Sequence, residues 1–325
     1  MSYLETAKQY TGNDVERIFF RPMLTGPSAE QLGVRILYNM PMPTIVQLWD
    51  GQRNLLKKFS ASGWTGGASA KKYQKEINMQ RVKAEMAFSA ADYFSLVYEQ
   101  ITASPEVNME DLTGTQLETV ETELFKKAIA ENIRATMWVG DSSLSSGYNT
   151  FDGFLKHMKE AVDSEAISYT TYTAAELADP AHVIKIFDEL WEGLSDRVKG
   201  AKSEGQLAFF VTSDIYDAYE KYLDSKGVEG SYIGTIEGRS TLAYHGIPVV
   251  DVRLNSYLPM TQMHQSFCLL TDRRNLILAV NTADMPGNEV RMWYNPDEME
   301  NRQRALFLAG CEIFDHDLLY YAYRA

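Results

Sequence analysis

Four apolar runs lie close together near the C-terminus: 246–252 (GIPVVDV), 273–281 (RRNLILAVN), 289–295 (EVRMWYN) and 304–323 (RALFLAGCEIFDHDLLYYAY). Each reads as strand-like in its share of branched and aromatic residues. They follow one long helical pattern near the middle of the chain. Between Leu117 and Val139, Phe125, Ile129, Ile133 and Met137 recur every four residues, with Leu117, Val120, Leu124 and Ala128 on the adjoining stripe. Gly140-Asp141 ends that helix, a loop SSLSSGYNT follows, and Phe151-Asp152-Gly153-Phe154-Leu155 returns to structure. The elements do not alternate as in a parallel α/β sheet, so the expected class is α+β.

The first forty residues carry Pro22 and Pro27 but few regularly spaced apolar groups, which predicts a strap-like arm rather than a packed unit. After Pro41 and Pro43, TIVQLWD is a plausible strand, Gly63-Trp64-Thr65-Gly66-Gly67 breaks the chain, and KKYQKEINMQRVKAEMAFS returns. This return contains a slip of phase. Ile77 and Met79 share one face, whereas Val82, Ala84, Met86 and Phe88 occupy the other. A bulge in a surface hairpin would produce the slip, and so would a two-stranded ribbon that leaves the body and re-enters it. Further on, Asp179 is expected to cap a helix with Pro180 at its first position and Val183, Phe187, Leu190, Leu194 and Val198 on one face. LAFFV reads as a buried strand, and Ser213 or Asp214 as the cap of a helix that Gly227 stops.

Composition excludes several functions. The 325 residues are 45% hydrophobic and 23% charged, as in a globular protein, and the net charge of −13 argues against a nucleic-acid-binding face. Two cysteines, Cys268 and Cys311, cannot build a disulfide framework; both sit in apolar runs and read as small core residues. There is no apolar run of membrane-spanning length and no signal-like start, so a soluble protein made in a reducing compartment is expected.

Catalytic motifs are missing: no GxSxG, HExxH or CxxC occurs. Gly66-Gly67-Ala68-Ser69-Ala70-Lys71 lacks the order that grips phosphate and reads as a flexible tip. In Asp315-His316-Asp317, read as a strand, the histidine points away from the two aspartates. A hydrolytic metal site would have to gather His245, Asp251 and His264 through loops. Glu118, Glu121 and Glu123 read as a solvated helix face. No catalytic residue, cofactor or metal is assigned.

From about Pro41 to Tyr323 the order of these pieces resembles the major capsid proteins of tailed bacteriophages with the Hong Kong 97 type of fold. The pieces are the Gly-tipped ribbon and its return, the helix ending ATMWVGD, the FDGFL re-entry, AFFVTSDIYDAYEKYLDS and the C-terminal runs. The resemblance implies an N-terminal arm (1–40) and an extended loop (52–82). It implies a peripheral domain built on the long helix (41–51, 83–165 and 271–313) and an axial domain (166–270 and 314–325). It also implies self-assembly through hexamers and pentamers into an icosahedral shell around the phage genome. Portal, separate scaffolding and cement proteins would be partners, and the product a virion component assembled in the host cytoplasm.

In such a protein the extended loop lies over a neighbouring subunit, which makes Trp64, Tyr73, Ile77 and Met79, with Lys71, Lys72 and Lys75, the expected inter-subunit contacts. The ribbon lysines keep covalent cross-linking open, but no acid-lined pocket marks a partner for them, so uncross-linked chains are expected. With the chain starting at Met1 and no long leader, N-terminal cleavage is not expected either. A shell of the same fold that encloses an enzyme cargo is the rival interpretation, and a metal-dependent hydrolase the rival from a different class.

Overall fold

The computed structural model describes residues 8–11, 14–20, 33–39, 44–49, 72–89, 116–226, 232–236, 239–281, 289–298 and 300–325. Among these the strands form three sheets, and one long strand organises the first. β1 (Lys8–Thr11), β2 (Arg35–Tyr38), β5 (Gln80–Ser89), β12 (Leu276–Asn281), β13 (Glu289–Asn295) and β14 (Glu300–Ile313) make a six-stranded sheet. Ala305 of β14 is opposite Val290 on one side and Ala84 on the other, and Ala309 is opposite Val280 and Gln80. β5 therefore runs along one edge of β14, while β13 and β12 lie end to end along the other. β1 extends the sheet beyond β13 and β2 extends it, parallel, beyond β12.

The second sheet has seven strands: β6 (Ser168–Tyr172), β7 (Leu207–Val211), β8 (Tyr232–Ile236), β9 (Arg239–Tyr244), β10 (Ile247–Asp251), β11 (Phe267–Asp272) and β15 (Leu319–Arg324). Their order is β6-β15-β11-β7-β10-β9-β8. β7 is apolar at every position because both of its faces are covered. Ala208 and Phe210 join the core shared with the first sheet, while Leu207, Phe209 and Val211 join a second core under two helices. Those helices are His182–Gly193 and Ser213–Lys226. The third sheet is a two-stranded ribbon of β3 (Thr44–Trp49) and β4 (Lys72–Ile77).

The long helix, α1 (Gln116–Val139), and α2 (Phe154–Asp163) fill the space between the large sheets. The centre of that core is the C-terminal end of α1. Trp138 is fully buried and meets Phe154 edge-on at 5.3 Å, with Phe210 of β7 and Phe267 of β11 each at 5.8 Å. Two glycines allow the chain to double back there. A Cβ on Gly140 would fall 2.3 Å from the Phe151 carbonyl oxygen, and one on Gly153 2.7 Å from the Gly140 nitrogen. The Gly153 N–H donates to the Gly140 carbonyl at 2.8 Å, and Cys311 Sγ donates to the Asp152 carbonyl at 2.8 Å. The ATMWVGD and FDGFL segments thus form one close backbone contact.

Several expectations need correction. The first forty residues supply two sheet strands, and Val15, Phe20 and Val34 are buried in the central core, with Phe20 against Phe307 at 4.8 Å. Four-residue edge strands pair through backbone groups and leave no readable side-chain period. The helix expected after Asp179-Pro180 starts at His182; Asp179 instead accepts from the Ala181 N–H, and Val198 belongs to a separate short helix. Ser213 is the first helical residue rather than a cap, and its hydroxyl donates to Asp251 at 2.8 Å. Glu121 is not solvated but 1% exposed, whereas Leu124 is 36% exposed. Glu121 lies four residues before Phe125, in phase with the core stripe. His316–Leu318 is a 3-10 turn, capped by Asp315, which accepts from the Asp317 N–H, and not a strand.

Replacing Gly140 with Ala should destabilise the protein by about 2–4 kcal/mol, as overpacking against fixed backbone does. Gly200→Ala has open space around the new methyl and should be neutral or mildly stabilising. Urea unfolding of the two variants checks the contrast.

Candidate inter-subunit surface

The ribbon was the sequence's main candidate, and its root is well defined. Trp64 and Lys71 lie outside the described residues. Lys72 and Tyr73 sit in β4, opposite Trp49 and Leu48. On the paired strand, Ile45 is 48% exposed. Ile77 and Met79 depart from expectation: they are 1% and 4% exposed and pack with Ile277, Ala279, Leu308 and Phe314 of their own chain. They anchor the ribbon rather than contact a neighbour. β4 ends at Ile77 and β5 starts at Gln80, so the slip of phase coincides with a change of partner strand from β3 to β14. At that crossing a Cβ on Gly310 would lie 2.5 Å from the Asn78 carbonyl oxygen. Only glycine lets the ribbon root pass so close to β14.

Lys75 is also held by its own chain. Its ammonium is 3.5 Å from Glu312, which lies 3.9 Å from His157 Nδ1, while His157 Nε2 is 3.2 Å from the Cys311 carbonyl. His316 lies in the same neighbourhood, where burial first and the Lys75 charge second depress its pKa. Lys75 thus has an ion-pair partner, Glu312, within its own chain.

Charged groups also fix the end of α1. Lys156 reaches Asp141 and Asp152, each at 2.8 Å. Burial by itself would raise the Asp141 pKa, but hydrogen bonds from Lys156 and Ser143 outweigh it and bring the carboxyl to about 2. One turn earlier, Arg134 donates to the carbonyls of Val252 and Arg253 at 2.9 and 3.1 Å and pairs with Glu131 at 2.5 Å. Glu131 also accepts from the Tyr257 hydroxyl. These bonds tie the helix to the segment after β10. Sequence reading missed Arg134 because a lone cation on a helix carries no pattern.

The residues weighed for a metal have other work. His245 and Gly246, at φ 50° and 79°, form the tight turn between β9 and β10. Asp251 accepts from Ser213 and from the Arg253 N–H. His264 stacks on Tyr323 at 3.9 Å and meets the Tyr321 hydroxyl at 2.8 Å; burial, then Lys159, lowers its pKa to about 4. Among the described residues no three His, Cys, Asp or Glu side chains are grouped to hold a metal. Cys268 and Cys311 are buried, and burial raises both thiols well above their usual range. Among the same residues no helix is long and apolar enough to cross a membrane.

A scan against protein-family models finds no match, and a search of curated proteins finds none either. A solved structure does match along the chain's length. A chain of the satellite phage P4 procapsid, which includes the size determination (Sid) protein, is 10% identical over 96% of this chain and 91% of that one, with a TM-score of 0.53. The fold is that of a phage procapsid chain. A chain from the capsid of an empty GTA particle is 12% identical over 92% of this chain and 90% of its own, with a TM-score of 0.49. The α+β capsid fold expected from the order of the pieces is present, although nine residues in ten differ.

Asp141 supplies a pH test with a definite sign. Its carboxyl is held below the ordinary 3.8, so its contribution is complete above that value and is lost as pH falls through about 2. Asp141→Asn should lower stability at neutral pH by about 1 kcal/mol, after allowance for solvent screening. The gap to the parent protein should close between pH 4 and pH 2 in urea titrations. A gap that persists at pH 2 would show another cause.

Proposed function

We propose that this protein is a major capsid protein: a non-enzymatic subunit that assembles through hexamers and pentamers into an icosahedral shell around a phage genome. The observation that carries this is the match to a phage procapsid chain over 96% of this chain and 91% of that one. The likeness involves the whole subunit and not a single module. The net charge of −13 suits a container, because an acidic wall does not condense onto the nucleic acid it holds. The partners follow from this role: other copies of the chain first, then a portal and separate scaffolding or cement proteins. The product is a virion component, assembled in the host cytoplasm.

Within the shell, we assign the seven-stranded sheet and its two helices to the axial domain, where hexamers and pentamers close. The six-stranded sheet and α1 form the peripheral domain. The part of the ribbon before Ile77 extends over a neighbour, pivoting on Ile77 and Met79, while residues 80–82 stay in the six-stranded sheet. Trp64, the largest apolar residue near the ribbon's glycines, is the proposed anchor on that neighbour.

Size-exclusion chromatography with light scattering tests the reading on protein purified with its natural scaffold. Particles of megadalton mass are expected; a monomer or small oligomer at high concentration would refute it. Deleting residues 63–70 should leave a folded subunit, by circular dichroism and urea unfolding, that assembles poorly. Loss of the fold itself would make that segment internal.

A further inference from the structure

β11 passes the chain to β12 through a 3-10 turn, Arg273–Asn275, where two adjacent arginines have opposite surroundings. Arg274 is neutralised within its own chain, 2.6 Å from Asp272 and 3.1 Å from Glu204. Arg273 has no carboxylate within bonding reach among the described residues. Its Nε is sealed from solvent without an acceptor. The N-terminal segment crosses directly over its stem: Gly33, at φ 86°, leaves room for the side chain, and a Cβ there would fall 2.9 Å from Arg273 Cδ. Burial lowers the pKa of this guanidinium, and no charge among the described residues opposes it.

A partly desolvated cation without a counter-charge costs stability in the free subunit. Such a group becomes favourable when association brings a carboxylate to it, and the paired form is then worth far more than an exposed surface bridge. This chain carries 44 acidic residues against 31 Lys and Arg, so a second copy arrives with an excess of carboxylates. We propose that Arg273 is an assembly contact whose guanidinium pairs with a carboxylate of a second copy of this chain. The proposal rests on the shell reading above.

The test compares Arg273→Met, which keeps the apolar stem, and Arg273→Lys, which keeps the charge but loses the fork, with the parent protein. Free Arg273→Met subunits should be as stable in urea as the parent, or more so, because a stranded charge is gone. Their threshold concentration for forming particles at low salt should rise at least ~10-fold, with Arg273→Lys in between. The difference between the parent's threshold and that of Arg273→Met should narrow as salt is added. Arg273→Met subunits that are less stable than the parent would place the charge's role inside the subunit and overturn the proposal. Unchanged assembly would overturn it too, as would normal assembly with weaker retention of DNA, which would put the guanidinium on nucleic acid. If the parent protein forms no particles at all, the shell reading falls, and this proposal with it.

Discussion

The backbone contact between Gly140 and Gly153 is the constraint on which the rest of the subunit depends. It turns the chain sharply at the end of a 24-residue helix and sets α2 beside it. It also holds Trp138 where its ring meets both α2 and the seven-stranded sheet. Any larger residue at either glycine must push backbone against backbone, with no flexible side chain to give way. The polar ring around this contact, Lys156 with Asp141 and Asp152, closes the turn on its solvent side. Arg134 fastens the preceding turn of the helix to the loop beyond β10. The helix therefore works as a rigid strut between the sheets.

From that strut the architecture divides labour. β14 serves two purposes at once, pairing with β5 on one edge and with β13 and β12 in succession on the other. One face of its sheet packs on the helix, and the opposite face receives Ile77 and Met79. An isolated two-stranded ribbon is marginal in water. Here Ile77 and Met79 fix the root of the ribbon on its own subunit.

Much of this was legible in the sequence, for physical reasons that can be named. The helix from Gln116 to Val139 showed because Phe125, Ile129, Ile133 and Met137 keep one face over many turns. The buried strands showed because coverage of both faces leaves continuous apolar runs such as LAFFV and LILAV. The slip of phase near Met79 was visible, but not that its apolar residues turn inward; period two gives the face of a strand and not the body it packs on. The arm's strands were hidden because four residues are too few to show a period. Arg134, Glu121 and Arg273 were hidden because a buried charge is defined by what surrounds it, and those neighbours are distant in sequence. The assignment of Trp64, Tyr73 and the ribbon lysines to a neighbour depends on a second subunit, which one chain's pattern does not contain.

Electron microscopy of the purified, assembled protein tests the central claim most directly. Closed icosahedral shells built from hexameric and pentameric units, with each subunit's ribbon lying on an adjacent copy, are the predicted result. Discrete small oligomers, or subunits whose ribbons fold back on their own bodies, would contradict it.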